Sequence, residues 1–115
     1  MISGVHTILY SKNPEADREF FLNVLGLTHV DVGHGWLIFG LPPTELAVHP
    51  ADEASHELYL MCHDVAEFVS KMESHGIQCS EIQNRGWGLM TEIALPSGTK
   101  LGVYQPRHAR PEAMK

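Results

Sequence analysis

The stretch ELYLMCHDVAEFVSKMESHG, residues 57–76, decides the fold of this chain. Its first six residues alternate between two faces, as they do in a β-strand, before the pattern changes to that of a helix. Asp64 is a favourable helix N-cap that begins a capping box, and Gly76 is a natural left-handed stop. The stretch therefore predicts a strand over 57–62 that leads into a helix over 65–75.

The same pattern occurs near the N-terminus, so the chain contains an internal repeat. The segment VHTILY alternates like a strand, and Asn13 is the N-cap of the helix predicted after it. Asp64 follows Asn13 by 51 positions, and Glu57 follows His6 by the same 51 positions. A repeat of this length is typical of a unit that cannot bury its own sheet face and therefore needs a partner.

The repeat predicts one domain over 1–115 that belongs to the α+β class. Two βαβββ modules, over about 3–49 and about 57–105, form curved mixed sheets around a central cleft. The tail over 106–115 is predicted to be loose or to clasp a partner chain. The predicted strands cover about 4–10, 27–32, 35–40, 44–49, 57–62, 77–83, 87–94 and 100–105, and the predicted helices cover about 14–25 and 65–75.

Composition argues against several classes of partner. The 115 residues are 43% hydrophobic, which suits one compact domain. A formal net charge of −6 argues against binding to nucleic acid or to an anionic membrane, since both need clustered Lys and Arg. The sequence shows neither a transmembrane run nor the pattern of a signal peptide, and its two cysteines suggest no disulfide framework. We therefore expect a cytoplasmic protein.

Two motifs resemble those of a known superfamily. The phrase LMCHDVAEFVSKMESHGI, at 60–77, is similar to the entry into its second helix, and LPSGTKLGVYQP, at 95–106, is similar to its ending. Both resemble the vicinal oxygen chelate superfamily, which includes glyoxalase I, extradiol dioxygenases and bleomycin-resistance proteins. The resemblance covers about residues 3–105, and it implies the fold described above, a small-molecule ligand and a homodimer.

The resemblance also implies where a metal would bind. In the metal-dependent members, the first and last strands of each repeat supply one ligand each, and the first-strand positions match His6 and Glu57 here. The last-strand positions match Ala47 and Gly102, whose side chains carry no donor atom. No cofactor is therefore expected, and a divalent metal is possible only if another side chain contributes.

Glu45 and His49 are the candidates for that third donor, because each lies two residues from Ala47 and so shares its face of the strand. Without a metal, His6 and Glu57 are predicted to form a hydrogen-bonded polar pair or to transfer protons on a bound ligand. The second alternative makes His6 and Glu57 the catalytic candidates.

Aromatic and apolar side chains dominate the rest of the predicted pocket, and they suit a planar hydrophobic ligand. For any one of them, simple filling of the space between the sheets remains the alternative. The predicted pocket residues are His6, Tyr10, His49, Glu57, Tyr59, Met61, Trp87 and Tyr104.

Three functions of different class follow from these features. The first is a small-molecule-binding protein of the glyoxalase or bleomycin-resistance type, with a mostly apolar, aromatic-lined pocket. The second is a metal-dependent lyase or extradiol-type dioxygenase that acts on vicinal oxygens. The third is a non-catalytic structural or partner-binding module. The sequence favours the first and leaves open whether the protein is an enzyme.

Overall fold

The computed structural model describes residues 6–112 and has the predicted α+β class. Within these residues, no helix is long and apolar enough to cross a membrane. The elements are α1 (Pro14–Asn23), β1 (His29–Asp31), β2 (Leu37–Phe39), β3 (Tyr59–Met61), α2 (Val65–Ser74), β4 (Gln83–Asn84), β5 (Gly88–Ala94) and β6 (Lys100–Pro106).

Both helices begin where the sequence predicts. The side chain of Asn13 accepts a hydrogen bond from the backbone N–H of Ala16 at 3.3 Å, and that of Asp64 accepts one from Glu67 at 3.1 Å. Each bond satisfies an N–H group that has no partner inside the helix. Gly76 has a φ of 75°, the left-handed conformation that ends α2 at low steric cost. The predicted caps and stop are confirmed.

The second module forms a four-stranded mixed sheet in the order β3-β6-β5-β4. β3 runs parallel to β6, and the other two pairs are antiparallel. β5 and β6 pair along their whole length, from Gly88 opposite Pro106 to Ala94 opposite Lys100. The βαβββ order predicted for this half is therefore present. The strand predicted over 77–83 is shorter than expected, since only β4 and a single bridge between Cys79 and Ile93 form there.

The sheet of the first module is less complete than predicted. β1 and β2 pair as an antiparallel hairpin, whereas the strands predicted over 4–10 and 44–49 do not form within the described residues. In the second module, the first strand pairs in parallel with the last strand. The two unformed segments would be each other's partner in the same arrangement, and neither has a strand partner within the described residues. Residues 4 and 5 lie outside the described part.

The hydrophobic core lies between the inner face of the second sheet and the helices. Ile93 of β5 and Val103 of β6 are fully buried, and Met72 of α2 packs against them. Phe20 of α1 belongs to the same cluster, so the first helix is anchored to the core of the second module. This leaves the opposite face of the second sheet uncovered by helices.

A buried carboxylate ties α1 to the turn before β6. Asp17, 3% exposed, accepts hydrogen bonds from the backbone N–H of Ser97 at 3.0 Å and from its hydroxyl at 2.8 Å. The two bonds offset part of the cost of removing the carboxylate from water. Helix and turn are 80 residues apart in sequence, and this contact fixes the first module against the second.

Candidate functional site

The candidate site is the outer face of the second sheet, which points away from the helices. Successive residues of a strand point to opposite faces, so burial of Leu101 and Val103 on the inner face directs Gly102 and Tyr104 outward. Tyr59 pairs with Gly102 in the ladder and therefore shares this outer face. The face is partly open to solvent and presents three large aromatic rings.

These rings form a packed cluster, which we call the aromatic cluster: Tyr59, Trp87 and Tyr104. Their centroids are 5.0 Å apart for Trp87 and Tyr104, 5.9 Å for Tyr59 and Tyr104, and 6.2 Å for Tyr59 and Trp87. All three pairs meet edge to face, at interplanar angles of 70–89°, which suits the quadrupoles of the rings. Tyr59 and Trp87 remain 38% and 42% exposed, so ring surface is available to a ligand.

Two glycines make room for the aromatic cluster. A Cβ atom at position 102 would overlap the ring of Tyr59, which lies across β6 at that point. A Cβ atom at position 88 would lie 2.7 Å from Cδ2 of Tyr104, closer than real Cβ contacts allow. Gly102 and Gly88 are therefore the sequence features that let both tyrosine rings lie on the sheet.

A polar network adjoins the Tyr104 end of the aromatic cluster, and we call it the tail network: Tyr104, His108, Glu45 and Arg110. The Tyr104 hydroxyl lies 3.0 Å from Nε2 of His108, whose Nδ1 lies 2.9 Å from the carbonyl oxygen of Ala109. A carbonyl only accepts, so Nδ1 carries the proton. In the neutral ring Nε2 then accepts from the Tyr104 hydroxyl.

Glu45 brings the first module into this network. Arg110 donates through Nε to the carboxylate of Glu45, whose other oxygen is 3.9 Å from Nε2 of His108. Residues 107–110 thus fold back on their own chain, whereas the sequence predicts a tail over 106–115 that is loose or clasps a partner. The sequence does not predict this contact, since Glu45 and Arg110 are 65 residues apart.

Both phenols of the aromatic cluster hold their protons more tightly than usual. Burial, followed by the neighbouring Glu57 carboxylate, raises the pKa of Tyr59 above its ordinary value of 10.0. Burial and then Glu45 raise the pKa of Tyr104, and Arg110 opposes this shift. At neutral pH both hydroxyls are therefore protonated and can donate hydrogen bonds.

The structure brings together some of the predicted pocket residues and separates others. Glu57 and Met61 flank Tyr59 on the outer face of the sheet. Tyr10 is 86% exposed and lines a different surface depression, beside Ser97 and Thr99. His6 and His49 are both exposed.

A shallow depression of about 330 Å³ extends from the aromatic cluster along the sheet. Its lining comes from the outer face of the second sheet and the segments that precede it, rather than from β1 and β2. The depression is therefore open, and the hairpin of the first module does not close it. Its lining includes Leu9, Glu57, Tyr59, Met90, Glu92 and Gly102.

The residues present do not fit a divalent metal centre of the kind that the fold implies. Among residues 6–112, no three or more His, Cys, Asp or Glu side chains are grouped closely enough to hold an ion. Ala47 has no donor atom, and the ring of Tyr59 covers the place where a side chain at Gly102 would be. Glu45, a candidate third donor, is bound to Arg110.

No protein-family model matches the sequence, and no curated protein is similar enough to count as a relative. Among solved structures, an antibiotic binding protein from a Streptomyces species is 20% identical with a TM-score of 0.65, over 91% of this chain and 97% of that one. A lactoylglutathione lyase from Agrobacterium tumefaciens is 20% identical with a TM-score of 0.65, over 90% and 93%. A bleomycin resistance determinant encoded on the transposon Tn5 is 26% identical with a TM-score of 0.54, over 84% and 89%. These likenesses confirm the fold class and the resemblance predicted from the sequence.

Proposed function

We propose that this chain, which has the fold of the vicinal oxygen chelate superfamily, is a small-molecule-binding protein whose aromatic cluster takes a planar, largely apolar ligand. The observation that carries the proposal is the solvent-facing cluster of Tyr59, Trp87 and Tyr104, for which Gly88 and Gly102 leave room. Side chains that only fill a core would be covered, whereas these rings keep exposed surface on an open sheet face.

The chemistry of the cluster supports a planar ligand in particular. A flat apolar molecule gains both from leaving water and from offset or edge-to-face contact with each ring, about 0.5–1.5 kcal/mol per aromatic pair beyond the buried area. The protonated hydroxyls of Tyr59 and Tyr104 can turn from Glu57 and His108 toward a ligand oxygen, which would orient the ligand.

Binding is favoured over metal-dependent chemistry because of the side chains that this chain carries. A lyase or dioxygenase that acts on vicinal oxygens uses a metal ion as a Lewis acid. The outer face offers Glu57 and Glu92, but no three donor side chains are grouped closely enough to hold an ion among the described residues. The names of the similar proteins include both an antibiotic binding protein and a lyase, and the donor set agrees better with the former.

The two tryptophans offer a direct test of the proposal. Their indole N–H groups give separate signals in a nitrogen-15 NMR spectrum, and a Trp36→Phe variant assigns them. Naphthalene carboxamide, indole and quinoline serve as planar probes. We expect a saturable shift of the Trp87 signal, while the signal of Trp36, in the turn between β1 and β2 and outside the depression, stays in place. Absence of a saturable Trp87 shift with all three probes would overturn the proposal.

We also propose that the protein is a homodimer in which the two unformed strand segments are covered by a second copy. Ile8 and Tyr10 are 61% and 86% exposed, and Leu46 and Val48 are 91% and 87% exposed. Strand-like segments with exposed apolar side chains and unpaired backbone are favourable sites for pairing with another chain. Association with a second copy would supply the missing ladder partners.

Light scattering coupled to gel filtration tests the dimer. We expect a mass of two chains for the wild type and of one chain for the Leu46→Lys, Val48→Lys double variant. Ile82→Lys, which changes an exposed apolar residue of the second module, is the matched control and should remain a dimer. A wild type that is monomeric at all concentrations would refute the proposal.

A cytoplasmic location stays a prediction, supported by two free cysteines and checked by cell fractionation.

A further inference from the structure

We propose that the ligand carries an acidic group, and that Arg110 and the Tyr104 hydroxyl bind this group at the Tyr104 end of the aromatic cluster, in the position that Glu45 holds in the free protein. The inference rests on the proposed function, because it specifies the class of molecule that the same site takes: a planar aromatic acid. Glu45 then acts as an internal competitor that the ligand displaces.

Arg110 and its neighbours have the donors that an acidic group needs. The guanidinium has five N–H groups in a planar fork, and its contact with Glu45 is made through Nε. The remaining N–H groups can reach a second acceptor in the bidentate manner that carboxylates favour. The Tyr104 hydroxyl, which now lies 3.0 Å from His108, can turn its proton toward a ligand oxygen. A cation and a phenol thus border one end of an aromatic surface.

Glu45 is linked to Arg110 through its carboxylate, and its side chain is 17% exposed. The segment over 44–49 belongs to no strand or helix. The side chain of Arg110 is 43% exposed, and an ion pair so open to water adds little stability. An incoming carboxylate can therefore replace Glu45 at small cost and gain the contacts with the rings in addition.

The charges at the two ends of the aromatic cluster favour one orientation. The Tyr59 end carries charges of both signs, because Glu57, Glu92 and Lys100 line the depression there and Arg85 lowers the pKa of Tyr59 that the two carboxylates raise. At the Tyr104 end, an acidic group that replaces Glu45 takes over its pairing with Arg110. The acid group is thus directed to the Tyr104 end.

The test compares naphthalene carboxylate with naphthalene carboxamide, which have the same ring system and differ in charge. Binding is followed by the shift of the Trp87 indole signal. We expect the wild type to bind the carboxylate more tightly than the amide, and Arg110→Gln to remove that preference. Glu45→Gln should tighten binding of the carboxylate about two- to fivefold, because the internal competitor is gone, and leave the amide unchanged.

Arg107→Gln is the matched control, since it removes one positive charge from the same exposed segment and should leave both affinities unchanged. Equal affinity of the wild type for the two probes, or a Glu45→Gln variant that binds the carboxylate no better, would overturn this inference while the proposed function stands. Weaker binding of both probes to Glu45→Gln would also overturn it, because Glu45 would then support the site. Failure of both naphthalene probes, and of indole and quinoline, to shift Trp87 would remove the proposed function itself, and this inference with it.

Discussion

Replacing Gly102 by alanine should disrupt the aromatic cluster, because the new methyl group would overlap the ring of Tyr59. The ring is 38% exposed and can swing outward, so the cost is set by the contacts it gives up rather than by strain in the core. Those contacts are its edge-to-face pairs with Trp87 and Tyr104, each worth about 0.5–1.5 kcal/mol. We expect the free energy of unfolding to fall by about 1–2 kcal/mol, since the rings are partly exposed to solvent and the summed energy of the two ring contacts is correspondingly smaller.

Urea unfolding followed by far-UV circular dichroism measures this change, and a double-mutant cycle isolates its cause. In a Tyr59→Ala background the space over β6 is empty, so Gly102→Ala should be neutral or slightly stabilising, because alanine suits a strand interior better than glycine. The near-UV circular dichroism of Trp87 should change in Gly102→Ala alone. An equal loss of stability with and without Tyr59 would refute the role assigned to Gly102.

Two further predictions concern stability. Asp17→Ala should lower the free energy of unfolding by about 2–4 kcal/mol, because it leaves the backbone N–H of Ser97 without its acceptor. Ser97→Ala keeps that N–H bond and should cost less. Equal, negligible losses for the two variants in urea unfolding would contradict this. Folding raises the pKa values of Tyr59 and Tyr104 above 10.0, so the stability they add is complete below pH 10 and is lost as pH rises through the raised values. Urea unfolding between about pH 9 and about pH 11 should show this loss, and replacing both tyrosines by phenylalanine should reduce it; an unchanged pH dependence would be the contrary result.

The parts of the fold that depend on neighbours in sequence were predictable. Asn13 and Asp64 cap their helices as expected, because a cap is decided by the residue and the few N–H groups after it. The alternation of strand residues also predicts that Tyr59 and Tyr104 lie on a common face. Each follows by two residues a position, Glu57 or Gly102, that the repeat assigns to the pocket. Their mutual contact follows from the pairing of β3 with β6, which the structure shows.

The parts that depend on distant segments were not predictable in the same way. The sequence predicts Glu45 or His49 as the third donor to a metal, whereas Arg110, 65 residues after Glu45, binds its carboxylate. Asp17 is an acidic residue in the first turn of α1, where a solvated position is usual, and only the fold brings Ser97 to it. The segments over 6–10 and 44–49 have the pattern of strands, but a pattern does not supply the partner that a ladder needs.

The most direct test of the aromatic cluster as the ligand site is to measure intermolecular nuclear Overhauser effects between naphthalene carboxylate and the protein. We predict contacts from the probe's ring protons to the rings of Tyr59, Trp87 and Tyr104, with the carboxylate-bearing edge nearest Tyr104. Contacts to Trp36 and the β1–β2 hairpin, with none to these three rings, would contradict the proposed site.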